Sequence, residues 1–293
     1  MRQFDVPEPD YDRYTNRQLA AIPLAVLAVA LAVIIGWFIF TGAPATLGID
    51  FAGGTQLTVE TSDDRDAIEN AFDEEIENIN EITGQDNQWS IESPSDDAEA
   101  MEQQAEENLT PAEGTDRVVL EASTFSASFG SDNQRTALYG VTAAFLGMAV
   151  LAFALFRTFV PSIAIVVSAF SDIMIPLAAM NLVGIPLSLG TVAGLLMLIG
   201  YSVDSDILLN NHILRRSGKF YESTYRAMQT GVTMTVTSLT AMAVLTVVAY
   251  LFGIGLLWQI GFVLVVGLMA DLMNTYMLNL SLLRWYKFEG INR

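Results

Sequence analysis

The chain has 293 residues, 52% of them hydrophobic, a formal charge of −19 and no cysteine. Disulfides and thiolate metal sites are excluded, and a single histidine, His212, excludes a histidine metal cluster within the chain. The negative balance argues against nucleic-acid binding, and apolar content this high is expected where long membrane-crossing segments dominate.

Residues 1–18 form a short N-terminal tail, and 19–40 are the first of six apolar segments, each near the roughly 20 residues that span a ~30 Å hydrocarbon core. Ala43-Pro44-Ala45 mimics a signal cleavage site. The preceding apolar run of some 22 residues exceeds the ~7–15 of a signal core, so retention as an anchor is expected. Then comes Gly48-Ile-Asp-Phe-Ala-Gly-Gly-Thr55, in which Gly48, Gly53 and Gly54 permit a tight turn and Asp50 is placed to cap it.

Residues 41–136 hold 23 Asp and Glu against three bases, Arg65, Arg117 and Arg135, a net charge of −20. Lysine is confined to Lys219 and Lys287. Dense carboxylates with so little lysine are the pattern of proteins adapted to high salt, where ions screen the repulsion. The stretch reads as an α+β domain. Strands are expected over 55–60, 88–92 and 117–121, a helix over 63–79, and a thinly anchored, mobile helix over 96–109.

Five further apolar segments follow: 137–156, 159–181, 187–209, 231–252 and 256–283. The loop 210–230 carries four bases and one acid. It is expected either to lie as an amphipathic helix on membrane lipids or simply to fix topology. Residues 284–293 are a C-terminal tail. With both termini cytoplasmic, inside loops and tails hold 11 of the 14 bases, and 41–136 lies outside. The inside set is Arg2, Arg13, Arg17, Arg157, Arg215, Arg216, Lys219, Arg226, Arg284, Lys287 and Arg293.

Asp172, Asp204, Asp206 and Asp271 fall within or at the edge of apolar segments. A charge inside a bilayer costs at least about 2.5–3.5 kcal/mol, so each is a candidate ion-coupling group. By segment centre, Asp172 and Asp271 lie near mid-depth and Asp204 nearer the inner face, while Asp206 is expected to snorkel. Asp204 and Asp206, about 200° apart on a helix, cannot share a face. No base lies deep enough to pair with the acids, which suits reversible protonation or a cation site. The structural alternative is a packing role, with Ser168, Thr191 and Asn274 as hydrogen-bond partners. His212, beside bases, reads as solvated. Gly190-Thr-Val-Ala-Gly194 permits close helix approach.

Gly-Ile-Asp-Phe-x-Gly-Gly after a first membrane helix resembles the signature of the SecD/SecF protein-export family, here Gly48, Asp50, Phe51, Gly53 and Gly54. Ile199-Gly200-Tyr201-Ser202-Val203 resembles the opening of the family's fourth helix, Ser171-Asp172-Ile173 part of its third, and Tyr250-Leu-Phe-Gly253 the end of its fifth. One helix, a soluble domain and five helices match the SecF branch, and the charge pattern suggests a halophilic archaeal member. The resemblance implies a membrane protein with a six-helix bundle of the resistance-nodulation-division (RND) type and one extracytoplasmic α+β domain. It also implies partnership with SecD, the Sec translocation channel and exported preproteins. Two departures stand out. Where bacterial members read Asn-Asp-Thr, this chain has Asp204-Ser205-Asp206. Their arginine early in the fifth helix has no counterpart in 231–238.

No nucleophile, metal or phosphate-binding motif is evident, so neither an enzyme nor a cofactor is expected. The rival readings are an independent small-solute or cation transporter, which with six helices needs a homodimer, and a passive assembly subunit that moves no ion.

Overall fold

The computed structural model describes residues 13–82, 87–215 and 220–290. Arg2, Arg216, Lys219 and Arg293, counted above toward orientation, lie outside the described residues, as do 1–12 and 291–293 of the two tails.

Helix α1 (Asn16–Thr41) opens on a capping box. Thr15 Oγ1 accepts from the Gln18 backbone N–H, and the Gln18 side chain accepts from the Thr15 N–H. One turn, α2 (Ile49–Ala52), leads into the acidic domain: β1 (Gly54–Glu60), α3 (Arg65–Asn70), β2 (Asn78–Glu81), β3 (Gln88–Ser93), α4 (Ala98–Asn108) and β4 (Val119–Phe125). The sheet is antiparallel in the order β2-β3-β1-β4. Alternation along the strands sends Leu57, Val59 and Ile91 to one face, where Ile68 of α3 and Met101 and Ala105 of α4 cover them. The opposite face carries Gln56, Ser90 and Glu92.

Three details of the domain differ from expectation. The helix over 63–79 stops at Asn70. Continued, it would stack Asp73 over Glu77 at helical spacing, and the chain turns instead so that Ile79 pairs opposite Ile91. That edge strand makes four strands of the expected three. The segment 96–109 is not loosely held: Asp97 caps α4 by accepting from the Ala100 N–H, and Met101 and Ala105 are completely buried.

Five elements complete the membrane part: α5 (Ala127–Phe156), α6 (Phe159–Val183), α7 (Leu189–Arg215), α8 (Phe220–Leu251), and α9 (Gly255–Met273) with its continuation. That continuation is a π-helical stretch, Asn274–Asn279, followed by α10 (Leu280–Trp285). With α1 there are, among the described residues, six spans long and apolar enough to cross a membrane, so the chain is a multi-pass membrane protein. Helices α6 and α7 are the most buried, and α1, α5 and α8 the most exposed. The loop expected over 210–230 is mostly helix, because α7 and α8 extend past their apolar spans. Phe220 and Ala227 pack against Ile213, Tyr276, Leu280 and Leu283, so this apolar face meets α10 rather than lipid.

Candidate functional site

The membrane core holds three buried carboxylates in adjoining hydrogen-bonded sets that meet at Ser202 and Ser205. Asp172 lies at the middle of α6, Asp206 on α7 and Asp271 on α9, and all three are at most 1% exposed. Asp172 accepts from the Ser202 hydroxyl and from Asn274 Nδ2 at 2.6 Å. Asp271 accepts from Ser205 Oγ at 2.7 Å and Thr275 Oγ1 at 3.2 Å. Asp206 accepts from Asn279 Nδ2 at 2.7 Å and from the same Thr275 hydroxyl at 2.9 Å. Ser205 also reaches the Ser202 carbonyl at 2.9 Å. No cationic side chain is hydrogen-bonded or ion-paired to the three acids among the described residues.

Local backbone irregularity builds this arrangement. In the π-helical stretch the i→i+5 pattern stacks residues five apart, which brings Asn274 and Asn279 to one side. In α6, Pro176 has no N–H to offer the Asp172 carbonyl one turn earlier, so the helix ladder is interrupted at the carboxylate. Chemically the network pairs few hydroxyl protons with many acceptor oxygens. Each hydroxyl has one proton, and Thr275 stands between two carboxylates, so it donates to one at a time. Adding or removing a proton at either acid re-aims the bonds. Asp206 Oδ2, Asn274 Oδ1 and Asn279 Oδ1 are buried and have no protein partner among the described residues. The network therefore keeps acceptor oxygens in reserve.

The structure brings together Asp172, Asp206 and Asp271 and leaves Asp204 out. The expected order of the two α7 acids is reversed. Asp206 does not snorkel but is fully buried, and Asp204 is exposed on the opposite side of the helix. Of the expected partners, Asn274 bonds an acid, whereas Thr191 caps the start of α7 with Ser188. His212 is not solvated: it is 8% exposed, and Nδ1 lies 2.9 Å from the Leu208 carbonyl. Of the fourth-helix motif, Ser202 joins the network, while Gly200 is exposed and Tyr201 half-buried. Gly190 and Gly194 seat Leu256 and Val263 of α9, so that small-residue pattern packs within the chain. In the baseless region 231–238, Gly231 lies so close to the Tyr276 hydroxyl that a Cβ there would clash. Sequence reasoning missed Ser205, Thr275 and Asn279. Their signal is Asp271, Asn274, Thr275 and Asn279 at helical spacing in an apolar run.

The glycine-rich turn is a junction between domain and bundle. Gly48 N–H donates to the Leu187 carbonyl at 2.9 Å. Asp50 Oδ2 accepts from the Leu189 N–H at 3.1 Å, so the carboxylate caps α7 rather than its own turn. Gly53 and Gly54 have φ of 84° and 129°, and a Cβ on Gly54 would clash with the Ser93 carbonyl oxygen. Phe51 is buried, and its carbonyl accepts from Gln134 Nε2 on α5 at 2.7 Å. Beside the turn, between the polar face of the sheet and the ends of α7 and α9, lies a cavity of about 760 Å³ lined by Asp50, Gln56, Glu92 and Gln259 among others. Burial pushes the Glu92 carboxyl above its usual range, with Glu77 and Asp50 adding repulsion.

Residues 104–289 match the family described as "Protein export membrane protein SecD/SecF, C-terminal", and 38–64 match the "SecD/SecF GG Motif". Protein-export membrane protein SecF of Haloferax volcanii is 61% identical over 293 residues, covering all of both chains. The same-named protein of Haloquadratum walsbyi is 58% identical over 295 residues, again covering both in full. That of Methanolacinia petrolearia is 40% identical over 281 residues, 96% of this chain and 97% of its own. Among solved structures, SecDF from Thermus thermophilus, described as a translocon-associated membrane protein, superposes with a TM-score of 0.74 at 20% identity. The match covers all of this chain and 40% of that longer one, and it shows a shared fold.

Proposed function

The chain belongs to the SecD/SecF family of protein-export membrane proteins, and from that premise we propose that its buried carboxylate network couples export to movement of a proton or small cation. It is a SecF-type protein-export subunit. It works with SecD and the Sec translocation channel on exported preproteins, in contact with membrane lipids. Both termini are cytoplasmic and the acidic domain is extracytoplasmic. It is not an enzyme, has no cofactor, and contributes movement rather than bond chemistry.

One observation carries this reading: three buried carboxylates in the bundle core, each accepting from neighbouring hydroxyls and amides and two of them sharing the Thr275 hydroxyl, with no cation bonded to them among the described residues. Three such charges held together without compensation are too costly to persist. The site must therefore take up positive charge, and the acids sit on three different helices, α6, α7 and α9. Loading or unloading the site changes the attraction between those helices, which is the requirement for a two-state element biased by an ion.

Asp172→Asn, Asp206→Asn and Asp271→Asn test the proposal. Each keeps shape and hydrogen bonding but cannot ionise. Each chain should accumulate in the membrane and retain SecD, while export of a reporter preprotein slows. Parental export by all three variants would leave a passive assembly subunit as the better account.

A further inference from the structure

Asp204 is the anomaly of the membrane region. It lies between Ser202 and Ser205 on α7, at the depth of the buried network, because Ser202 bonds the mid-helix Asp172. Yet its side chain is exposed, and no hydrogen bond or ion pair reaches it among the described residues. A carboxylate presented to lipid at this depth carries the insertion cost of about 2.5–3.5 kcal/mol or more, with nothing to offset it. Lys and Arg escape by snorkelling along a long stem. Aspartate has one methylene and cannot.

The residue is not isolated. Ala193, Met197, Gly200 and Asp204 are all exposed, at spacings of four, three and four residues, and so form one stripe along α7. A Cβ on Gly200 would meet nothing within 4 Å. Among the described residues nothing fills the space beside Gly200, one turn from Asp204 on the same stripe. Small residues flanking a polar group are what a membrane helix offers to a close-packed neighbour.

We propose that this stripe is the seat of a transmembrane helix of the SecD-type partner, which presents a cationic side chain to Asp204. The proposal rests on the reading that SecD is the partner, and adds which face it covers and what chemistry it supplies. Charge decides between occupants. Lipid tails leave the carboxylate uncompensated. A second copy of this chain, docked through the same patch by two-fold symmetry, would set Asp204 against Asp204. A cation on a different chain satisfies the charge.

Two experiments on the full chain in its native membrane decide the matter. In this cysteine-free protein, Met197→Cys carrying a benzophenone maleimide should photo-crosslink to SecD with Asp204 intact. Recovery of SecD with a tagged chain after mild solubilisation should fall by at least about tenfold for Asp204→Lys, fall less for Asp204→Asn, and hold for Asp204→Glu. If Asp204→Lys does not accumulate, the crosslink alone decides. SecD adducts from Val247→Cys on α8 but none from Met197→Cys would overturn the assigned face while leaving the partnership intact. Undiminished recovery with Asp204→Lys would overturn the cationic contact. Absence of SecD from every preparation and adduct would overturn the partnership itself, and this inference with it.

Discussion

Thr275 decides how two of the three acids sense each other. Its single proton is shared between Asp206 and Asp271, 2.9 and 3.2 Å away. Thr275→Val keeps the shape and removes the shared hydroxyl, and losing a bond to a buried carboxylate costs about 1–3 kcal/mol. The solubilised chain should melt at a lower temperature and export should slow, while Thr275→Ser restores both. Export at the parental rate by Thr275→Val would reduce the hydroxyl to packing. Asp172 and Asp271 are legible in the sequence because an acid in an apolar run is costly and needs a reason. The roles of Asp204 and Asp206 are not legible. Ile207, Leu208 and Leu209 follow on all sides of α7, so local hydrophobicity does not say which way the helix is rotated. Packing against α6 and α9 sets that rotation.

Elements meet at the glycine-rich turn, where one carboxylate caps a helix 139 residues away. Asp50→Ala should leave the Ser188–Thr191 cap in place and remove about 0.5–1.5 kcal/mol with the bond to the Leu189 N–H, read as faster hydrogen exchange at the start of that helix. Exchange unchanged there would show that Asp50 serves the neighbouring cavity instead. The acidic domain has its own pH dependence. Burial raises the Glu92 carboxyl, and burial with the Glu75 charge raises that of Glu77. A carboxyl whose folded pKa lies above its unfolded value binds protons preferentially in the folded state. Its contribution to stability is complete below the ordinary value near 4.5 and is lost as pH rises through the folded value. Hydrogen-exchange protection of β1 and β3 in the full chain should therefore rise as pH falls from neutral toward 4.5. Glu92→Gln should flatten that rise, and a parental profile would assign it to other acids. The six spans and the strand over 55–60 are legible because length and alternation are local signals. The edge strand Asn78–Glu81 and the π-helical stretch are not, since the first needs Ile91 as partner and the second needs the carboxylates it serves.

The whole molecule combines two solvents and two electrostatic regimes. The bundle carries few charges and makes each count. The acidic domain carries −20 over residues 41–136 with a core of two short helices on one sheet face. That core is thin for a domain of this size, and repulsion among the surface acids opposes it unless ions screen them. Relatives of the chain include proteins from Haloferax volcanii and Haloquadratum walsbyi, in keeping with a salt-adapted archaeal chain. The screening length grows from about 3 Å at 1 M salt to about 10 Å at 0.1 M, so dilution lets acids repel across several neighbours at once. The spans, held by apolar packing, have no such dependence. Lowering salt on the full chain in detergent should therefore unfold it in two stages. Exchange protection of β1, β3 and α4 should be lost first, near 0.1 M, while α6, α7 and α9 stay protected. Equal protection of the domain at both salt concentrations would mean that its core alone holds it, and that the acids serve solubility rather than adaptation to salt.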